Sequence, residues 1–409
     1  MTEQKHNGLE ESAVPDAQDH TEVSMKVLHL IWSLSPAGGG PPEAVRQLIT
    51  AYHIAGHSVE VACADLPGEA YLNLSCPVHA LGPSSWGKYT YAPKLAGWLD
   101  QNVARFDAVI VNGIWTYLGI AAARACKKHN RPYGIFVHGA LDPWFKKRYP
   151  LKHLKKCLYW PFQYANLRDA KAVFFTTETE RILARESFKP NTWNEVVVPY
   201  GIGDPVASET PEHEAQQQIA QFRQSVPGLG DSPYLVYLSR IHEKKGCDLL
   251  VSAFAAISRE HPDLHLVMVG PGDAHLLHKL QDSVQAHGLG ERVHWPGTLR
   301  GALKWGALRG SEAFVLPSHQ ENFGIAVVEA LAVGCAVLIS NQVNIWDEIE
   351  ADGVGLVDSD TAEGAERILR HWFALSIQDR AAMRGRARQS FLKRYAIDMT
   401  VRAINHHVK

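Results

Sequence analysis

Met25–Leu48 reads MKVLHLIWSLSPAGGGPPEAVRQL, and this stretch decides the kind of fold. A short apolar run stops at three glycines and two prolines, and apolar residues then recur at helical spacing. A strand that turns through glycines straight into a helix is the opening unit of a buried parallel sheet. The same alternation repeats through SVEVAC, DAVIVN, YGIFVH, AVFF and EVVV, each run separated from the next by a helical pattern. It pauses near Pro199, where PYGIGDP and a polar stretch rich in Glu and Gln intervene, and restarts at YLVYL, HLVMVG, RVHW and EAFVL. The chain therefore reads as α/β, with two Rossmann-like doubly wound domains at 25–199 and 233–389. The expected remainder is a disordered tail at 1–24, a linker at 200–232 and a C-terminal helix at 390–409.

Length agrees with this division, since 409 residues exceed what one core usually serves. Apolar residues at 46%, charged residues at 21% and a formal net charge of −2 are ordinary for a globular protein and give no bulk charge for holding a nucleic acid. The six cysteines form no CxxC pair, which suits free thiols in a reducing compartment. The first 24 residues lack the apolar core of a signal peptide, and no stretch approaches a membrane span. A cytoplasmic protein is expected, touching a membrane only from the side.

In open α/β sheets ligands lie beyond the carboxyl ends of the strands, so the loops after the runs are where chemistry is sought. Gly38, Gly39 and Gly40 allow close backbone approach and leave N–H groups free at a helix start, fit for an anion or sugar hydroxyls; the alternative is a tight strand-to-helix turn. Arg240 and Lys245 follow YLVYL, where a guanidinium and an ammonium can reach one diphosphate; the alternative is a solvated basic turn. The strongest pattern is LPSHQENFGIAVVEALAVG. Read as one helix, it sets Glu329 on nearly the same side as Glu321 and about 12 Å further along the axis. Glu329 lies among Ala, Val and Leu, so its carboxylate requires a partner such as a ribose diol. Asp358-Ser359-Asp360 has the form of a metal-holding DxD, yet it precedes a helical stretch where Asp serves as an N-cap, and Arg240 and Lys245 already supply positive charge. No metal and no other cofactor is expected.

Together the Glu-x7-Glu element with its FG pair, the SRIHEKKG loop, the glycine run and VPYGI resemble the retaining nucleotide-sugar glycosyltransferases of family 4, from about Met25 onward. The resemblance implies the GT-B architecture, with the two domains facing a central cleft. It implies that Arg240 and Lys245 clamp the donor diphosphate, that Glu321 binds hydroxyls of the donor sugar and Glu329 the ribose. Backbone N–H groups around Asn322, Phe323 and Gly324 would also meet the donor, and Gly270 in GPGD fits a loop near the nucleotide. His138, after YGIFVH, matches the histidine that the family places beside the reacting anomeric centre. The implied activity is sugar transfer from a nucleotide diphosphate donor to a glycan or lipid-linked acceptor, and HWPGTLRGALKWGALRG further resembles members that build exopolysaccharide or other surface glycans. ISNQVNIWDEI departs from the glycine-rich turn of many relatives, with Asn344 and Trp346 in its place. Rival readings are a nucleotide-sugar epimerase of the same architecture and a non-catalytic sugar-nucleotide-binding subunit.

Between His138 and Asn166, Lys146, Lys147, Arg148, Lys152, Lys155 and Lys156 alternate with Trp144, Phe145, Tyr149, Tyr159, Trp160 and Phe162. Cations interleaved with aromatics suit the boundary between water and an anionic lipid surface, so 144–162 is one candidate for peripheral contact with the inner face of the cytoplasmic membrane. A soluble helix with charges outside and aromatics in the core fits the same pattern.

Overall fold

A computed structural model describes residues 24–85, 89, 91–206 and 211–409; most of the expected N-terminal tail lies outside them. The first domain holds β1 (Lys26–Ile31), β2 (Ser58–Cys63), β3 (Val78–Ala80), β4 (Ala108–Asn112), β5 (Tyr133–Phe136), β6 (Ala172–Phe175) and β7 (Glu195–Val197). They form one seven-stranded parallel sheet in the order β3-β2-β1-β4-β5-β6-β7. The second domain holds β8 (Tyr234–Leu238), β9 (His265–Val269), β10 (Val293–Gly297), β11 (Ala313–Leu316), β12 (Val337–Ser340) and β13 (Gly355–Asp358), parallel in the order β10-β9-β8-β11-β12-β13. Strand order reverses between β1 and β4 and again between β8 and β11, and at such reversals the flanking loops part to leave a crevice. The strand interiors are buried on both faces, which is why they read as unbroken apolar runs. The three-residue β3 and the edge strand β13 are too short or too mixed to stand out in the sequence.

Two segments differ from the expected division. Within the expected linker, Pro211–Ser225 is a helix that packs against the helix Gly301–Arg309. Gln218, Phe222 and Val226, spaced four apart, are buried, and a Cβ on Gly306 would lie 2.0 Å from the Gln218 carbonyl. Its many polar residues hide this narrow buried stripe, which makes the segment part of the second domain. The C-terminal helix is likewise two helices. Ile377–Arg394 lies on the second domain, where Arg384 and Arg388 donate to the carbonyls of Ser311 and Ala332. The chain then breaks at Tyr395-Ala396, and Ile397–Val408 crosses to the first domain, where Thr400 Oγ1 accepts from Gly201 N and donates to Pro199 O, both at 2.9 Å. Phe136, His138, Tyr200, Phe323 and Tyr395 form a continuous run of ring contacts from the first sheet into the second domain.

Candidate active site

On the first-domain side, Gly39 adopts φ +77° immediately before the helix Gly40–Ile54, which starts with Pro41 and Pro42 in its first turn. The three glycines serve different ends. A Cβ on Gly38 would meet Pro42 Cγ at 2.8 Å, one on Gly39 would meet nothing within 4 Å, and one on Gly40 would come within 3.6 Å of Ile325 Cδ1 in the second domain. The glycine turn thus faces the segment after β11 across the cleft.

His138 and Gly139 end β5 with left-handed backbone at φ +50° and +70°. For a histidine this is an uncommon conformation that persists only where its surroundings enforce it. Here the buried Glu180 carboxylate accepts from Gly139 N at 2.5 Å, Thr176 N at 2.6 Å and Thr176 Oγ1 at 2.7 Å. The imidazole packs against both Phe136 and Tyr200, whose rings also touch each other, and the Tyr200 hydroxyl bonds to it. Burial pushes the His138 pKa down to about 3, so the ring is neutral at physiological pH.

On the second-domain side, Arg240 and Lys245 follow β8 and Glu321 follows β11, so all three flank the strand-order reversal. Lys245 is buried and forms an ion pair with Glu321. Burial pushes the Glu321 carboxyl up, but the Lys245 and Lys244 ammoniums and the Asn322 N–H outweigh it and hold it below the usual range. Burial and neighbouring Lys245 push Lys244 down to about 8. Arg240 is exposed and forms no ion pair among the described residues. Gly270, at φ +141°, lets its turn press on the strand end beside Arg240, since a Cβ there would lie 1.9 Å from the Ser239 carbonyl.

The helix after Glu321 begins only at Ile325, behind Gly324 at φ +82°. Glu321 itself sits in a bridge with Val343, donating its N–H to Gln342 O and accepting from Asn344 N. The two glutamates therefore do not share a helix face: the glycine breaks the periodicity that the eight-residue spacing suggests. The Phe323 ring is buried against Tyr200 and Tyr395, so its side chain is a core element, while the N–H groups of Phe323 and Gly324 have no acceptor among the described residues. Asn322 Nδ2 donates to Thr176 Oγ1 at 3.0 Å, and a Cβ on Gly139 would come within 2.9 Å of Asn322 Cγ. Its amide thus joins the domains beside His138. Gln320 Nε2 adds a second joint, at 2.7 Å from Asp142 Oδ2.

Glu329 is buried, and Lys304 Nζ lies 2.7 Å from its Oε1. The partner that its apolar neighbours demand is thus a lysine of the chain. Asp358 is bound by Arg367 and Asp360 by His319, and Thr361, not an aspartate, caps the helix that follows. The basic segment divides as well. Lys244 lies over Trp144 and Phe145 at 5.2 and 4.9 Å, and Arg148 is 3.8 Å from Glu243, so 144–148 meets the second domain. The helix Pro150–Arg168 instead exposes Leu151, Leu154, Leu158 and Phe162, four residues on one stripe beside Lys155. No described helix is long and apolar enough to cross a membrane.

Sequence reasoning did not find Glu180, Tyr200, Thr176 or Lys304 as members of the site. Thr177-Glu-Thr-Glu180 has the spacing of a capping box, which accounts for Glu180 locally. VPYGI and ALKWGAL were visible as motifs, but nothing in either shows which residues Tyr200 and Lys304 meet.

Two facing parallel-sheet domains, with a glycine turn at the first strand-order reversal and charged loops at the second, define the GT-B class. Residues 39–201 match the model of the glycosyl transferase 4-like domain, and residues 218–390 match that of the glycosyl transferases group 1. The chain belongs to the family 4 type of glycosyltransferases. Over 342 residues it is 25% identical to a GDP-mannose-dependent α-(1-6)-phosphatidylinositol dimannoside mannosyltransferase of Mycobacterium tuberculosis, covering 82% of this chain and 84% of that protein. An uncharacterized glycosyltransferase of Methanocaldococcus jannaschii is 28% identical over 161 residues, which span 38% of this chain and only 40% of the relative. Among solved structures, HepE of Anabaena in complex with UDP-glucose superposes with a TM-score of 0.74 at 18% identity, covering 93% of this chain and 98% of that one.

Proposed function

We propose that the protein transfers a sugar from a nucleoside diphosphate donor to a glycan or lipid-linked acceptor, with retention at the anomeric carbon and without a metal, in the synthesis of exopolysaccharide or another surface glycan. The observation that carries this reading is the Lys245–Glu321 pair, set with Arg240 around one strand-order reversal. Departure of a nucleoside diphosphate builds negative charge on the leaving oxygen, and the buried Lys245 with the exposed Arg240 beside it would neutralise that charge without a metal ion. Glu321, ionised by its lysine, is an acceptor for sugar hydroxyls, and the free N–H groups of Phe323 and Gly324 are donors beside it. His138 takes no nucleophilic role. Its neutral ring and the strained turn held by Glu180 present an imidazole and a carbonyl to the sugar from the opposite domain. The acceptor then attacks on the face the diphosphate leaves.

The lipid-linked acceptor and a peripheral position on the cytoplasmic membrane are supported by the stripe Leu151, Leu154, Leu158 and Phe162, which faces solvent beside Lys152 and Lys155 on the domain opposite the donor side. Incubating the protein with labelled UDP- and GDP-sugars, with and without glycan or lipid-linked acceptors, tests the reading. Transfer, with slow donor hydrolysis when acceptor is omitted, is the expected result. An epimerised sugar would favour the epimerase, and binding without turnover the non-catalytic subunit.

A further inference from the structure

The second glutamate of the Glu-x7-Glu element is occupied in an informative way. Lys304 stands on the helix Gly301–Arg309, whose back is fixed by close packing of Gly306 on the helix Pro211–Ser225. Its ammonium lies 2.7 Å from Glu329 Oε1 and 4.2 Å from the centre of the Trp305 ring, so it is held from two sides. Glu329 Oε2, in contrast, makes no hydrogen bond among the described residues, although it is not sealed from solvent. One oxygen is tied down and the other is left for a ligand.

We propose that Lys304 is a positioning residue for the nucleotide: it keeps Glu329 ionised and turned so that Oε2 accepts from the ribose hydroxyls of the donor. This rests on the reading that Glu329 meets the ribose. The charged groups facing Glu329 are Lys304 from its own domain and Glu43 from the helix Gly40–Ile54 of the other. Burial raises the Glu329 pKa and prevails, Glu43 adds to it, and Lys304 opposes both, holding the rise in check. Without the lysine, burial and Glu43 act unopposed and push the carboxyl further toward its protonated form, which is a poor acceptor for a diol.

The test measures binding of UDP and GDP, and of their 2′,3′-dideoxy counterparts, by calorimetry at pH 7 and pH 9. The wild type is expected to prefer the ribonucleotide that it binds by about tenfold or more over the dideoxy form, the range for hydrogen bonds to a charged group. Lys304→Met loses that preference at pH 7, recovers part of it at pH 9, and binds the dideoxy nucleotide as the wild type does. Lys304→Arg keeps the preference at both pH values, and melting without nucleotide identifies any variant that has lost its fold. Undiminished preference in Lys304→Met, or equal weakening toward both nucleotide forms, overturns the role of Lys304. A wild type that does not distinguish the two forms overturns instead the placement of Glu329 at the ribose, and the proposal with it.

Discussion

The His138 imidazole lies 5.5 Å from the Tyr200 ring at an angle of 24°, and the Tyr200 hydroxyl bonds to it across a separation of 62 residues. Burial in this setting keeps the ring neutral far below its ordinary pKa. The His138 carbon-bound protons should therefore hold constant NMR shifts from pH 8 to pH 5, and turnover should show no limb from this group in that range. Folding stability follows the same sign. As pH falls below the unfolded value near 6.5, the unfolded chain binds a proton that the folded chain refuses, so this group lowers stability progressively toward pH 3. Titration of His138 near 6 would remove the buried, neutral role.

The Lys245–Glu321 pair predicts different outcomes for stability and for rate. Lys245→Ala leaves a largely buried carboxylate without its partner, so the protein should melt at lower temperature. Pairing it with Glu321→Gln should restore much of the stability but none of the turnover. Turnover in Lys245→Ala should fall by about tenfold to several hundredfold, or about 1.5 to 3 kcal/mol of lost charge stabilisation. Unchanged turnover in single-turnover kinetics would refute the diphosphate clamp.

Glu180 carries the turn that presents His138 without being placed to touch a substrate. Its removal in Glu180→Ala strands three buried donors at Gly139 and Thr176, a cost of about 1 to 3 kcal/mol for each group left unsatisfied. The expected pattern is a lower melting temperature and a reduced kcat, with nucleotide affinity kept, since the proposed diphosphate and ribose contacts, Arg240, Lys245 and Glu329, lie in the other domain. Weakened nucleotide binding at an unaltered kcat would contradict this division of labour.

What was legible in the sequence follows from how local each signal is. β1 with its glycine turn, and Arg240 and Lys245 after β8, are legible because strand, turn and charge fall within one short stretch. Glu321 was legible as a residue but not in its geometry, since Gly324 ends the helix pattern that the spacing implied. Glu180 was hidden by its own neighbourhood: Thr177 Oγ1 does accept from Glu180 N, as a capping box requires, but the carboxylate turns to Thr176 and to Gly139, 41 residues away. Lys304 meets Glu329 only because two helices of one domain converge, which no periodicity encodes.

The stripe on the helix Pro150–Arg168 separates the two readings of the basic segment. Leu151 and Leu158 are 77% and 80% exposed, whereas Trp160, on the opposite side of the helix, is buried against Phe188 and donates through Nε1 to the Pro190 carbonyl. A soluble helix would place its leucines where Trp160 is. Leu154→Asp with Leu158→Asp should therefore leave the melting temperature nearly unchanged, since both side chains already face water. The same pair should abolish flotation with vesicles of anionic phospholipid, while the wild type floats at low salt and less at high salt, because the flanking lysines each contribute about 1 kcal/mol that salt screens. Equal flotation of variant and wild type would show that the lysines act without the stripe, and absence of flotation by the wild type would remove the membrane from the account of the acceptor.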